Sequence, residues 1–280
     1  MGFLGFGDYN KAGPGVPKNA PKKKTFFRFW DVYLPRFWKL AGLNFIYLVC
    51  CLPIITVGPA TAGFVYVLRK YSCEKFTDYS DFFRIFKRDF KKSFIMGIVD
   101  LFIVFATSFS LYFYYANARA GSKFFSAIFI ITLSMTFLLI MMHFYIYLMI
   151  VLLDLKLSKI IKNSLLLAYA GFKTNIITFF IVSGISALII YLFLSTPLVV
   201  WPFLGVFVAF VPISFVGFVI CFNSFPIIRK FVIDPYYEER GEKNPEDAEM
   251  ETEGQAVFVD RGGEEAPINP KPKKKGKRIK

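Results

Sequence analysis

The stretch "TVGPATAGF", residues 56–64, lies in the middle of an apolar run that extends from Leu40 to Leu68. If this run turns back in its middle, the loops that follow face the opposite side from the one they face after a single crossing. Gly58 can adopt the backbone angles of a helix end, and Pro59 suits the first turn of a helix because its missing N–H would be unpaired there. These residues favour a turn between two helices.

The neighbouring residues extend the predicted turn. Thr56 is a candidate N-cap for the second helix, and Pro53 is expected to kink the last turn of the first helix. Ala60, Ala62 and Gly63 are small enough to let the two helices approach closely. The run is short for two full crossings, since one crossing takes about 20 residues. A re-entrant loop that dips into the membrane and returns is therefore the alternative to a short transmembrane hairpin.

The rest of the composition indicates a helical membrane protein. Of 280 residues, 55% are hydrophobic and 36 are Phe. Further apolar runs of roughly 20 residues or more are long enough to cross a hydrocarbon layer; they lie at 94–116, 124–153, 176–198 and 199–222. No segment alternates with the period of two that a strand requires, and lipid admits only helices or closed barrels. The sequence predicts an all-α, polytopic transmembrane bundle.

The distribution of basic residues predicts the sidedness of this bundle. Loops rich in Lys and Arg remain in the cytoplasm. The chain carries 34 Lys and Arg, and they are dense in four segments, 1–39, 69–93, 154–173 and the residues after 228. Segment 117–123 holds few of them, and 195–202 holds none. A hairpin that turns at 56–59 places every dense segment inside, so we infer that both termini are cytoplasmic.

Six crossings grouped as three hairpins satisfy this arrangement. We expect a Gly-, Pro- and Lys-rich cytoplasmic segment at 1–24, a transmembrane domain at 25–230, and a disordered tail at 231–280 that is acidic and then basic. The spans are predicted at about 38–55, 59–75, 94–116, 124–153, 174–198 and 200–223. Aromatic and basic stretches beginning at Phe26, Asp81 and Lys159 predict a cytoplasmic amphipathic helix before each hairpin.

Ionisable side chains inside the spans are the candidate functional residues, because burying them in lipid is costly. Asp100 lies roughly 10 Å from the cytoplasmic end of its span and His143 roughly 15 Å. Their helices are adjacent and antiparallel, so the two side chains could meet. Asn44 and Asn223 lie in the same inner half and suggest a polar pocket open to the cytoplasm. The alternative is that Asp100 only bonds to a neighbouring helix and that His143 only packs.

The sequence offers little support for an enzyme. One His and four scattered Cys provide no converging set of zinc ligands, so no metal or other cofactor is predicted. No "GxSxG" nucleophile pattern occurs, and the glycines of "GFLGFG" are not followed by the "GK[ST]" of a phosphate-binding loop. The basic segments flank membrane spans, where anionic lipid headgroups attract them, and no nucleic-acid-reading module is present.

Several motifs together resemble a known family. The N-terminal "MGFLGFGDYNKAGPGVPK", the following "FWKL", and "TVGPATAG" with "YVLR" after it are similar to the YesL-like family of bacterial integral membrane proteins, a group of unknown function. The resemblance runs from Met1 to about Arg229. It implies a bacterial cytoplasmic membrane location and an association with carbohydrate ABC import systems, and it implies no catalytic residues.

Two functions remain open from the sequence. In the first, the protein is an accessory or scaffold component whose cytoplasmic helices, especially residues 155–172, contact permease or ATPase subunits of an importer. In the second, it is itself a small-solute transporter or channel with Asp100 and His143 along the route. The mostly Phe, Ile and Leu content of the spans favours the first, because a path for a polar sugar needs many hydrogen-bonding groups.

Cysteine labelling tests the predicted sidedness. A cysteine introduced at Ser122, in a chain without its native cysteines, should react with a membrane-impermeant maleimide on intact cells. Native Cys73, kept as the single cysteine of a second variant, should react only after the cells are opened. Labelling of any position in 84–92 from outside intact cells would contradict the topology.

Overall fold

The computed structural model describes residues 24–242 and 244–245, which form eleven α-helices, a few short 3-10 or π-helical turns and no strand. The helices are α1 Thr25–Tyr33, α2 Phe37–Cys51, α3 Val57–Ser72, α4 Tyr79–Arg88, α5 Phe90–Arg119, α6 Lys123–Leu152, α7 Leu157–Ala170, α8 Phe172–Ser195, α9 Trp201–Phe210, α10 Pro212–Ile228 and α11 Asp234–Glu238. The predicted all-helical class is confirmed. The predicted N-terminal segment up to residue 23 and the tail beyond residue 245 lie outside the described residues.

Four segments of the described chain are long and apolar enough to cross a membrane. They are α5, α6, α8 and the continuous stretch Leu198–Glu238, which contains α9 and α10. Helices α2 and α3 have 15 and 16 residues, so each extends about 23 Å, less than the ~30 Å of a hydrocarbon core. The first apolar run thus forms two helices joined by a break at 52–56, and each is shorter than a standard span.

Helix α3 is the centre of the packed core. Eleven of its 16 residues are buried, and it packs against α2, α4, α5, α6 and α10. Leu68 and Val67 of α3 are fully enclosed together with Leu43 of α2 and Phe82 of α4. The second half of α6 completes this core, because its residues from Met141 to Val151 are buried with the exception of His143.

The contact between α3 and α5 is made by backbone. A Cβ at Gly58 would lie 2.0 Å from the carbonyl oxygen of Ser93 and 3.1 Å from the Cα of Gly97. A Cβ at Gly97 would in turn lie 2.9 Å from the Cα of Gly58. The two helices therefore touch at a point where neither has a side chain, as small residues permit in membrane helices. Gly58 lies within α3 and allows α5 to approach closely. The sequence had suggested that Gly58 ends a helix.

The turn at 52–56 differs in detail from the sequence prediction. Helix α2 ends at Cys51, so Pro53 follows the helix and does not kink it. The backbone of Pro53 itself is extended, with φ and ψ of −77° and 110°. The hydroxyl of Thr56 donates to the carbonyl oxygens of Cys50 and Pro53, both at 2.6 Å. It makes no cap bond to α3, so Thr56 satisfies the end of α2. Pro59 lies in the first turn of α3, where a missing N–H is harmless.

Gly63 contacts a different helix from the one expected. A Cβ there would lie 2.8 Å from the carbonyl oxygen of Phe82 and 3.0 Å from the Phe82 ring. Phe82 belongs to α4, so this small residue admits α4 against α3, whereas the sequence placed Gly63 at the contact between α2 and α3. Helix α3 thus uses two glycines for close crossings, Gly58 near its start and Gly63 near its middle.

The last predicted span is interrupted. Helix α9 ends at Phe210, and α10 begins at Pro212 after Val211, whose φ and ψ are −123° and −64°. Proline has no N–H and its ring disfavours helical angles in the residue before it. The carbonyl oxygens of Val208 and Ala209 accept bonds from the Asn44 side-chain amide of α2, at 3.2 and 2.8 Å. Asn44 therefore satisfies the end of the interrupted helix.

Helices α1, α4 and α7 begin near the three aromatic and basic stretches that the sequence singled out. Helix α4 is fixed to α3 by Asp81, whose carboxylate accepts from the Thr77 hydroxyl at 2.8 Å and pairs with Lys70 at 3.4 Å and with Arg84. Burial acts to raise the pKa of Asp81, but the Thr77 bond and the two cations outweigh it and lower the pKa below its usual value. Asp81 is accordingly charged at neutral pH.

The glycine contact predicts a specific loss of stability. Gly58→Ala should lower the unfolding temperature of the detergent-purified protein, because overpacking against backbone costs about 1–3 kcal/mol or more. Gly184→Ala in α8 is the matched control, since nothing lies within 4 Å of its Cβ position. That variant should be neutral or slightly stabilising, as expected for Gly→Ala in a helix. Equal unfolding temperatures for the two variants would contradict a backbone contact at Gly58.

Candidate functional site

A cavity of about 490 Å³ is lined chiefly by residues of α3, α5, α6 and α10. Most of its lining is aliphatic or aromatic, contributed by residues such as Val104, Ile140, Phe144 and Ile220. Asp100 and His143 also line it. An apolar cavity with a few converging polar groups has the composition of a small-molecule site.

Asp100, His143 and Tyr147 form the polar cluster of this cavity. The Tyr147 hydroxyl donates to Asp100 Oδ2 at 2.6 Å, and His143 Nδ1 lies 3.6 Å from Asp100 Oδ1. His143 and Tyr147 are one helical turn apart on α6, so both face α5, and their rings meet edge to face with centroids 5.4 Å apart. The expected meeting of Asp100 and His143 therefore occurs in the structure, with Tyr147 as a third member.

The distances and exposures indicate different roles for the three side chains. An O–H···O distance of 2.6 Å is at the short end of the range for such bonds, so Tyr147 holds Asp100 firmly. The His143 contact is longer than a direct hydrogen bond and allows attraction only when the imidazole is protonated. The Asp100 side chain is 18% exposed and that of His143 48% exposed. His143 is therefore the more exposed member of the pair, and it also lines the cavity.

Asn44 and Asn223 do not join the cluster. Asn44 bonds the end of α9, as described above. The Asn223 amide donates to the Thr178 hydroxyl at 2.9 Å, which links α10 to α8. Neither asparagine lines the cavity. The structure thus brings together Asp100 and His143 but separates both asparagines from them, so the four residues do not form one polar pocket.

Other polar residues near the site were missed in the sequence. Tyr147 carried a usable signal, because it lies four residues after His143 on the same helix face. Tyr47 and Thr61 also line the cavity, and their hydroxyls lie 3.2 Å apart. Tyr145 donates to Asn175 Oδ1 at 2.6 Å and joins α6 to α8 within the core. Hydroxyls and amides spaced along apolar helices do not reveal their partners before the helices are packed.

The cluster can hold a proton, a cation or one hydrogen-bonding group of a largely apolar ligand. Within residues 24–242 and 244–245, no three His, Cys, Asp or Glu side chains come close enough to bind a metal ion. Three threonine hydroxyls that line the cavity, those of Thr61, Thr107 and Thr136, bond to carbonyl oxygens one turn earlier in their own helices. The main polar groups of the cavity are therefore the side chains of Asp100, His143 and Tyr147. The hydroxyls of Tyr47 and Thr61 form a second polar pair in the lining.

The four long apolar segments indicate an α-helical membrane protein, and the sequence comparison adds a similarity over part of the chain. Residues 40–111 match the protein family of unknown function DUF624. The matched segment contains most of α2, all of α3 and α4, and most of α5, and so includes Gly58, Gly97 and Asp100. A search of curated proteins and a search of solved structures gave no match. The chain is thus similar over this segment to a family whose activity is unknown.

A double-mutant cycle measures the bond at the centre of the site. Asp100→Asn and Tyr147→Phe should each destabilise the protein, and their coupling free energy should be about 0.5–3 kcal/mol, the range for residues in one hydrogen-bond network. The measurement is chemical unfolding in detergent micelles. Thr107→Val, which removes a hydroxyl bonded only within its own helix, should show no coupling to Asp100→Asn. Additive effects of Asp100→Asn and Tyr147→Phe would contradict the bond.

Proposed function

We propose that this protein is an accessory or scaffold component of a bacterial cytoplasmic membrane complex, with six crossings and both termini inside. The observation that carries the proposal is the apolar lining of the intramembrane cavity. A solute with many hydroxyls needs many hydrogen-bonding groups along its route. In this cavity those groups are confined to one cluster and a neighbouring hydroxyl pair, so they support a role other than conducting sugar.

The exterior of the helices supports contact with lipid or with partner helices. No residue of α6 before Met141 is buried. In α8, only Asn175 and Thr178 are buried. Large apolar side chains such as Phe180, Leu188 and Leu194 are more than half exposed on α8. Such continuous apolar faces suit a protein embedded in lipid or in a larger membrane assembly.

Helix α7 offers a surface for a cytoplasmic partner. Leu166 and Tyr169 are 66% and 62% exposed, and Lys159 and Lys162 continue the same helix face. The inner face of α7 packs on α6 through Ile160 and Ser164, the latter bonded to the Met149 sulfur at 3.7 Å. A helix that is anchored on one side and presents apolar and basic groups on the other suits binding to another protein. Similarity to the YesL-like family leads us to propose an importer for carbohydrate as that partner.

A second candidate function is a small-solute transporter or channel. The contact of Asp100 with His143 across α5 and α6 favours it, because paired ionisable groups inside a membrane commonly serve proton or ion movement. In this version Tyr147 holds the carboxylate, and His143 exchanges the proton.

Affinity purification distinguishes the two functions. The tagged chain, isolated in mild detergent and analysed by mass spectrometry, should recover permease or ATPase subunits of an ABC importer. Leu166→Ser should reduce this recovery several-fold, whereas Phe83→Ser, at an exposed position of α4, should leave it unchanged. A protein that purifies without partners and carries solute flux in proteoliposomes would overturn the accessory role. Loss of that flux in His143→Gln would then support the transporter.

A further inference from the structure

A second pocket involves α7 and the part of the chain that follows α10. Beyond α10 the chain continues as a π-helical turn, Arg229–Ile233, and then as α11. The pocket, which we call the α7 pocket, has a volume of about 420 Å³, within the range of sites that hold a ligand. Its lining residues include Leu166 and Leu167 of α7 and Phe231 and Val232 of the π-helical turn.

The lining of the α7 pocket is mostly apolar, and part of it is exposed. Leu166 is 66% exposed and Phe231 48% exposed. Apart from the hydroxyl of Tyr236, the polar side chains of the lining are those of Asn163 and Glu239. Large apolar side chains that are exposed together in a concave site favour a ligand that removes them from water.

Two lysines of α7 lie beside this apolar lining. Lys159 and Lys162 are exposed. They precede Asn163 and Leu166, which line the α7 pocket, by four residues each, so each lysine is adjacent to a lining residue on the helix surface. A ligand that combines apolar side chains with neighbouring carboxylates would therefore match both the pocket and the surface next to it.

The sequence after Pro245 contains a segment with this composition. Residues 246–255 include five acidic residues and no basic residue, and they are followed directly by "AVFV" at 256–259. This is the longest run of apolar residues between 246 and the end of the chain. The segment thus offers apolar side chains for the α7 pocket and carboxylates for the lysines beside it.

The chain is long enough to bring this segment to the α7 pocket. Glu239 lines the pocket and precedes Pro245 by six residues, so their Cα atoms are at most about 22 Å apart. From Pro245 to Ala256 an extended chain spans up to about 40 Å. The segment can therefore reach the pocket from the end of the described chain. The charge distribution in the sequence also predicts that α7 and the tail share the cytoplasmic side.

We propose that residues 256–259 of the same chain bind in the α7 pocket, with Phe258 as the anchor and the preceding acidic residues beside Lys159 and Lys162. Phe258 has the largest side chain of the segment and so contributes the most apolar area. Leu166 also belongs to the α7 surface proposed above for a partner, so the bound tail covers part of that surface. Binding of the tail does not itself depend on the accessory or transporter role.

Photo-crosslinking of the full chain tests the proposal. Benzoylphenylalanine replaces Phe258, the protein is irradiated in mild detergent with added lipid, and the cross-linked peptides are identified by mass spectrometry. Position 258 should cross-link to residues 163–170 and 231–239. In the matched control, benzoylphenylalanine replaces Ile268, an apolar residue outside the segment, and should cross-link there several-fold less. Equal yields from the two positions, or cross-links from position 258 only to lipid or to other helices, would overturn the proposal.

A substitution in the pocket tests the apolar part of the contact. In the protein with benzoylphenylalanine at position 258, Leu166→Asp should reduce the cross-link yield several-fold, because it places a carboxylate in the apolar lining. Phe83→Asp, at an exposed position of α4, adds the same charge outside the pocket and should leave the yield unchanged. An equal yield from the two variants contradicts binding in the α7 pocket. Their unfolding temperatures show whether a loss of cross-linking reflects misfolding.

Two further measurements test the charge contact and the source of the tail. At low salt, Lys159→Gln with Lys162→Gln should lower the cross-link yield about two- to tenfold, the range for two exposed ion pairs. Lys87→Gln with Lys91→Gln, which changes two exposed lysines of α4 and α5, should not lower it, and equal losses contradict the charge contact. On a denaturing gel the cross-linked protein should run as a single chain. A cross-linked dimer would overturn binding within one chain and assign the pocket to the tail of a second copy.

Discussion

The close crossing of α3 and α5 is the constraint on which the site depends. Gly58 and Gly97 bring the two backbones into direct contact, which no pair of larger residues would allow. Gly97, Asp100 and Val104 follow one another at intervals of three and four residues, so they share a face of α5. The contact that fixes α5 against α3 therefore also turns Asp100 towards the cavity. Helix α6, antiparallel to α5, then supplies Tyr147 and His143 at the same level.

The sequence could predict those features that follow from period, charge and chain direction. A turn in the first apolar run follows from Pro53, and the meeting of Asp100 with His143 follows from the antiparallel order of two neighbouring helices. The sequence allows the depth of a residue in a span to be estimated by counting from the end of the span. It does not show which neighbouring helix the side chain faces. Asn44 and Asn223 have similar predicted depths, and they bond to α9 and α8 in place of the cavity.

The partner of Asn44 shows why such contacts escape a sequence argument. Its amide bonds carbonyl oxygens of Val208 and Ala209, which are available because Pro212 interrupts the helix more than 160 residues later in the chain. The two parts of this contact can each be recognised in the sequence, because Asn44 is an amide within one apolar run and Pro212 is a proline within another. Their pairing depends on the packing of α2 against α9, which no local pattern specifies. The same holds for Gly63, whose partner is α4.

One half of the bundle is tightly packed, and the other half leaves large apolar side chains exposed. This difference limits the kinds of ligand that can reach the cavity. The second half of α6 is enclosed by α3, α7 and α10, whereas its first half, before Met141, packs chiefly on α5 and leaves Ile131 and Met135 exposed. The cavity lies at this boundary, and His143 is its more exposed ionisable group. A hydrated solute that reached the cluster from the open half would pass exposed aliphatic side chains and would lose its water without gaining hydrogen bonds. A lipid or a partner helix bears no such cost, because most of its surface is apolar and a single polar group suffices to meet His143. The lining of the cavity therefore suits a lipid or a partner helix with one hydrogen-bonding group better than it suits a sugar.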